Sequence, residues 1–309
     1  MALQTKAIKQ KMKSIGNIGK ITKTMEMISV SKMKKAVALA QASKEYAVAV
    51  FSLISYIARQ NDIRASSFLF AKRRPSKKLI IVISSDKGLC GSYNLNIHKR
   101  LSAFKKTYSQ DGIDCITVGK YSEKSANKLG LNIVASFIKI NEKNAEEELL
   151  VLSKMAVEEF KNKDYQGAFL LYTEFAKATK FNAVIKKLMP LEEKAIENII
   201  FETEGVLDQK AKEKLHKETE AFVLYEFEPS MEYILTMVMP KLINSIIHQS
   251  FLESAASEHS SRMFAMKNAS DSASEIFKDL KLSFNHARQD AITKELSEIV
   301  GGANALSVN

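Results

Sequence analysis

Tryptophan is absent from this chain, and proline (four) and glycine (eleven) are scarce among its 309 residues. So few helix breakers argue against a fold of many tight turns and favour long, uninterrupted helices. Cysteine occurs only as Cys90 and Cys115, without the paired spacing of a disulfide framework, a metal site or a redox switch. The two read as small, reduced, apolar residues of a cytosolic protein. No apolar run approaches the roughly 18 residues of a membrane span. The opening MALQTKAIKQ lacks the apolar core of a secretory signal, and no organellar targeting segment is visible. The five histidines (His98, His216, His248, His259, His286) show no metal-ligand spacing.

What the chain does have is methionine, twelve in all, a flexible apolar side chain suited to adaptable helix contacts. It also has length without interruption. From Lys241 to Val300 there is neither glycine nor proline. Within that run Met263, Met266, Ser270, Ala273, Phe277, Leu280, Phe284, Ala287 and Ala291 alternate at spacings of three and four. This is a coiled-coil seam, a narrow stripe turned to a partner helix. An unbroken helix over this run would be roughly 90 Å long, so the helix itself is read as the working part.

The other end offers a partner. Between Lys20 and Arg74 glycine and proline are again missing. Ile8, Met12, Ile15, Ile21, Met25, Ile28, Met33 and Val37 share one broad face at 100° per residue, and Lys6, Lys9, Lys13, Lys20, Lys23, Lys34 and Lys35 cluster opposite. Two such helices most simply fold back as an antiparallel pair; two independent helices on a large core and an intermolecular dimer are the alternatives. Residues 1–50 carry ten lysines against two glutamates, Glu26 and Glu45. A stripe this basic suits an acidic partner, or open solvent as the plainer reading. It has no arginine and no aromatic before Tyr46, residue types that base readout and stacking favour, so an acidic protein surface ranks above nucleic acid.

The centre has a different rhythm. Lys78–Ser84 (KLIIVIS) is a continuous apolar run rich in β-branched residues, of the kind buried in a parallel sheet. A helix is expected from Asn94 to about Tyr108, then strands at Cys115–Val118 and Leu131–Phe137. Asn144 with Glu147 reads as a capping box opening a helix to about Phe160. Strands at Ala168–Thr173, Ala183–Leu188 and Ile196–Phe201 complete an open α/β, Rossmann-like sheet with boundaries near Pro75 and Gly205. The expected organisation is an N-terminal coiled-coil helix (1–75), an α/β domain (76–205) and a C-terminal coiled-coil helix (206–309). Segment 205–230 is longer and more charged than a tight turn needs.

Such a sheet invites a nucleotide site, and the motifs do not supply one. Gly16-Asn17-Ile18-Gly19-Lys20-Ile21-Thr22 has Ser14 where a phosphate loop needs its first glycine, and Ile21 where it needs a hydroxyl for magnesium. No strand precedes it. Its glycines read as weak points in a long helix, each costing about 1 kcal/mol relative to alanine. Ser85-Asp86-Lys87-Gly88-Leu89-Cys90-Gly91 follows the first strand but lacks the three-glycine pattern, so it reads as a tight strand-to-helix turn. No catalytic constellation or cofactor site is recognisable, and the chain is read as catalysing nothing by itself.

Three blocks carry a family likeness: Gly19–Ile28 with Ser31-Lys32-Met33; Ser84–Gly91; and Ala287-Arg288-Gln289 followed by Ile292–Ala303, with Glu253–His259 and Arg262–Met266 upstream. In these the chain resembles the gamma subunits of F-type ATP synthases. The resemblance implies an antiparallel coiled coil inside a ring of three alpha and three beta subunits. It places the α/β domain near the epsilon subunit and the c-ring; the absence of a visible organellar targeting segment favours a bacterial protein, peripheral on the cytoplasmic face of the inner membrane. The resemblance implies a rotor that couples transmembrane ion flow to ATP synthesis or hydrolysis in the beta subunits. It places Arg288, Gln289, Thr293 and Glu295 at the beta catch region, Lys20, Lys23, Met25 and Lys34 at shaft contacts, and Asp86, Lys87 and Gly88 in the foot-domain turn. Departures are Gly16 and Gly19, which should make the first turns irregular, and Pro240, which should kink the helix or mark its start. The chloroplast-type cysteine pair is missing. A coiled-coil scaffold or tether is the alternative, and a nucleotide-dependent enzyme with helical arms is a third.

Overall fold

In the computed structural model, residues 2–58, 77–108, 112–140, 144–162, 165–177, 180–190, 228 and 231–307 are described. The elements in chain order are α1 (Ala2–Ala58), β1 (Lys77–Ile83), α2 (Tyr93–Thr107), β2 (Gly112–Val118) and α3 (Lys120–Lys128). They continue with β3 (Asn132–Phe137), α4 (Ala145–Asn162), β4 (Tyr165–Lys177), β5 (Lys180–Met189) and α5 (Met231–Ser307). They form two compact units, one of residues 1–29 with 262–309 and the other of residues 30–261. The expected boundaries at Pro75 and Gly205, and the expected strand Ile196–Phe201, lie outside the described residues.

In the larger unit five strands run in the order β3-β2-β1-β4-β5. β1 pairs in parallel with β2 and β4, β2 in parallel with β3, and only β5 is antiparallel, on β4. Alternation of side chains along β1 divides the core in two. Leu79, Ile81 and Ile83 face Leu149, Leu152 and Phe160 of α4 and Leu242, Ile243, Ile246 and Ile247 of α5. Ile80 and Val82 face Ile97, Leu101 and Phe104 of α2 and Ala126 of α3. Helices on both faces explain why β1 is continuously apolar from Leu79 to Ile83 rather than alternating.

α3 is the helix the sequence did not announce. Its nine residues bury only Ser122 and Ala126, so no apolar stripe marks it. It is held by its start instead. Gly119, at φ 89°, turns the chain out of β2, and the Lys120 N–H donates to Asp86 Oδ1 at 3.1 Å. A Cβ on Gly119 would lie 2.4 Å from the Ser84 carbonyl oxygen.

In the smaller unit α1 and α5 pack antiparallel: Gly16 lies against Phe277 and Gly19 against Ala273, each 3.6 Å from the position of an added Cβ. The pair is therefore formed within one chain. All nine expected seam residues of α5 are buried or half-buried, with Met266 and Ala273 the most enclosed. α1 corrects the expectation of one broad apolar face. Ile21 and Ile28 are exposed at 59% and 52%, whereas Thr22 and Ser29 are buried. One partner helix covers only a narrow stripe. The stripe accepts hydroxyls because the α1 backbone satisfies them: Thr22 Oγ1 donates to the Ile18 carbonyl at 3.0 Å and Ser29 Oγ to that of Met25 at 2.7 Å.

Both glycines sit inside continuous α1, so its first turns are regular rather than irregular. α5 begins at Met231 and runs through Pro240, which does not mark its start.

Three substitutions test this packing. Gly119→Ala is expected to lower stability by about 2–4 kcal/mol, because left-handed strain adds to a backbone clash; an unchanged urea midpoint would contradict the clash. Gly16→Ala and Gly19→Ala are each expected to raise stability by about 0.5–1 kcal/mol, since the methyl meets ordinary contacts and improves helix propensity. Thermal unfolding followed by circular dichroism reads both signs.

Candidate partner-contact surfaces

The seam of α5 stops at Ala291, and every residue from Ile292 to Val300 is exposed. Arg288, Gln289, Thr293 and Glu295 all lie exposed around that point, with Gln289 and Thr293 one turn apart. Local bonds stiffen the end: Ser297 Oγ donates to the Thr293 carbonyl at 2.9 Å, and Lys294 pairs with Glu298 at 3.8 Å. Residues beside these were missed in the sequence. Ile292, Leu296, Ile299 and Val300 are exposed at 49–68% and recur at helical spacing, which makes an apolar stripe on the open end. The signal was the same three-and-four period as the seam, continued past its last partner. An open apolar stripe with polar flanks has the character of a protein-contact surface.

On α1, Lys20, Lys23 and Lys34 are exposed and Met25 is half-buried. The small size of Gly16 and Gly19 leaves a groove on the flank of the helix pair, lined by Ala273 and Phe277 and bordered by Lys20 and Lys23. Lys23 Nζ also meets Glu26 Oε2 at 3.1 Å, an exposed pair of small energetic weight. Ile21 and Ile28, with Ile18 and Met27, add apolar surface to the same helix. The structure thus keeps the lysines in solvent and sets uncovered apolar side chains beside them.

The turn after β1 has a structural duty. Asp86 Oδ1 accepts from the Lys120 N–H at 3.1 Å and Asp86 Oδ2 from the Lys139 N–H at 2.9 Å. One carboxylate thereby ties the β1 turn, the N-terminus of α3 and the segment after β3, where the helix dipole favours its charge. Lys87 is exposed, and its carbonyl accepts from Ser85 Oγ at 2.8 Å. At Gly88 an added Cβ would lie 2.7 Å from the Tyr121 hydroxyl.

Open α/β sheets bind ligands beyond the strand ends where the chain leaves in opposite directions; here that is beside the ends of β1 and β4. The crevice is filled by α5. Ser254 Oγ lies 2.7 Å from the Tyr93 hydroxyl and accepts from the Thr173 N–H at 3.3 Å. Ser257 Oγ donates to the Thr173 carbonyl at 3.4 Å, and Ser261 Oγ to that of Cys90 at 2.6 Å. Burial, aided by the charge of Glu258, pushes the Tyr93 phenol well above its ordinary value; burial, then Glu253, does the same to Tyr172. Both stay protonated. The turn Ser85–Gly91 is thus a tight strand-to-helix connection, as read from its missing glycines. Among the described residues no group of histidine, cysteine and carboxylate side chains could hold a metal ion. Cys90 and Cys115 are both buried and unbridged.

Comparison with known proteins gives the same direction from every side. The profile of a family described as ATP synthase matches residues 4–306. The ATP synthase gamma chain of Stenotrophomonas maltophilia is 34% identical over 97% of this chain and 98% of its own length. That of Pelotomaculum thermopropionicum is 35% identical over the same shares. Among solved structures, a chain of the Euglena gracilis mitochondrial ATP synthase (OSCP, F1 and c-ring) shares the fold at a TM-score of 0.63 and 16% identity. That likeness covers 99% of this chain and 95% of the other. A chain of the Tetrahymena thermophila mitochondrial ATP synthase central stalk and c-ring aligns at 0.57 and 24% identity, over 81% and 99%. With matches that run nearly end to end, the chain belongs to the family of ATP synthase gamma chains.

Proposed function

We propose that this chain is the central rotor shaft of an F-type ATP synthase and couples ion flow across a membrane to ATP synthesis or hydrolysis. The observation that carries this reading is the helix pair. It is closed on its seam, yet α5 continues beyond it with every side chain from Ile292 to Val300 exposed. In a member of the gamma-chain family, such an end is suited to a surrounding partner rather than to the chain's own core. The scaffold or tether reading gains no support from the whole-length match to gamma chains.

In this proposal the chain itself performs no catalysis; ATP is made and hydrolysed in the beta subunits of an alpha3-beta3 ring around the helix pair. Rotation presents different faces of an asymmetric shaft to the three beta subunits, and differential contact shifts each between its binding states. Arg288, Gln289, Thr293 and Glu295 meet the beta catch region. Lys20, Lys23 and Lys34, with Met25 beside them, meet acidic beta-subunit loops. α1 and α5 serve as the transmitting helices, and the α/β domain as the foot that meets the epsilon subunit and the c-ring. No described helix is long and apolar enough to cross a membrane. The chain is placed peripherally, on the cytoplasmic face of a bacterial inner membrane.

Arg288→Ala with Gln289→Ala is expected to leave the helicity and stability of the chain within about 0.5 kcal/mol, as for ordinary exposed positions. In the assembled complex it should slow steady-state ATP turnover several-fold. Unchanged hydrolysis and synthesis rates would remove these residues from the contact. Replacing Lys20, Lys23 and Lys34 by glutamine should weaken coupling more at low salt than at high salt, since exposed charges lose influence beyond a Debye length of about 8 Å at physiological ionic strength. A defect equal at all salt concentrations would assign the lysines to packing of their aliphatic stems.

A further inference from the structure

The segment of α5 from Leu242 to Ser261 meets the α/β sheet in two different ways. Its first turns bury Leu242, Ile243, Ile246 and Ile247 in the core shared with α4. Such apolar contact is strong but non-directional, and it resists sliding and rolling only through shape. Beyond it the buried stripe changes character. Ser250, Ser254, Ser257 and Ser261 follow at helical spacing, all nearly inaccessible, with Glu253 beside them. Serines gain little from burial as such, so their value lies in what they bond.

The partners are fixed points of the sheet. Ser254 and Ser257 hold the N–H and the carbonyl of one residue, Thr173 in β4. Ser254 also meets the Tyr93 hydroxyl at the start of α2, and Ser261 holds the carbonyl of Cys90 in the turn after β1. That turn is itself braced. Asn94 Nδ2 lies 2.7 Å from Ser85 Oγ and 3.1 Å from Cys90 Sγ. The bonds reach a strand, a helix start and a turn, and they are spread over two turns of α5. Neither a slide along the helix axis nor a roll about it can keep all of them. Breaking them strands buried polar groups away from water.

We infer that this hydrogen-bonded stripe is the torque-bearing joint of the chain. It locks the α/β sheet to α5, so that rotation applied to one is carried by the other without slip. Tyr93, Ser254, Ser257 and Ser261 are its positioning residues. They act on coupling and not on nucleotide chemistry. The inference rests on the rotor reading and adds to it the place where torque passes from sheet to helix.

The test uses the complete complex in inverted membrane vesicles, with ATP hydrolysis measured beside ATP-driven membrane potential from an oxonol dye. Wild-type vesicles must energise on ATP. If they do not, the rotor reading fails and the joint falls with it. Given wild-type coupling, Ser254→Ala with Ser257→Ala should largely keep hydrolysis while the potential generated per ATP falls several-fold. Tyr93→Phe, which removes only the hydroxyl, should shift the same ratio less. A potential per ATP equal to wild type in these variants overturns the joint, including the case in which both activities fall in proportion. Should the double variant fail to assemble, Tyr93→Phe and Ser261→Ala decide by the same ratio.

Discussion

A single backbone ladder runs through α5 from Met231 to Ser307, and the rest of the molecule is organised by what that ladder meets along its length. A helix gains most of its stability from the face it buries, not from propensity. Along α5 that face changes from apolar core to serine stripe to narrow seam to bare end, while the backbone hydrogen bonds continue. The two glycines near its end, Gly301 and Gly302, are helical as well.

The sheet shows the same economy of position. Its switch-point crevice is where comparable folds hold a ligand, and here α5 fills it with hydroxyls. The neighbouring turn is shaped by Gly119 and Asp86, whose roles are a left-handed bend and a carboxylate shared between two backbone N–H groups. What resembles a ligand-binding architecture is thereby a mount for a helix.

The charge pattern and the apolar pattern meet on the small unit. Lys20 and Lys23 of α1 and the polar residues around Arg288 lie beside uncovered isoleucine, leucine and methionine side chains. Apolar area supplies contact and charge supplies orientation and partner choice. A coupling element needs both, since it must touch its partner in each state but not equally in all of them.

Much of this was legible in residue order. The α5 seam could be read residue by residue, because a period of 3.5 is local and survives whatever partner is met. β1, α2 and α4 announced themselves by apolar runs or a cap. The family likeness was carried by contiguous blocks such as Arg288-Gln289 and Ile292–Glu298. The tertiary structure decided what depends on contact at a distance. It showed that Ile21 and Ile28 lie off the narrow stripe of α1, since one partner helix covers less than a full apolar face. It placed α3, which has no stripe and stands on a glycine turn and a remote carboxylate. It also set Ser254, Ser257 and Ser261 against Thr173 and Cys90, since a serine's sequence neighbours do not reveal which distant backbone group its hydroxyl will bond.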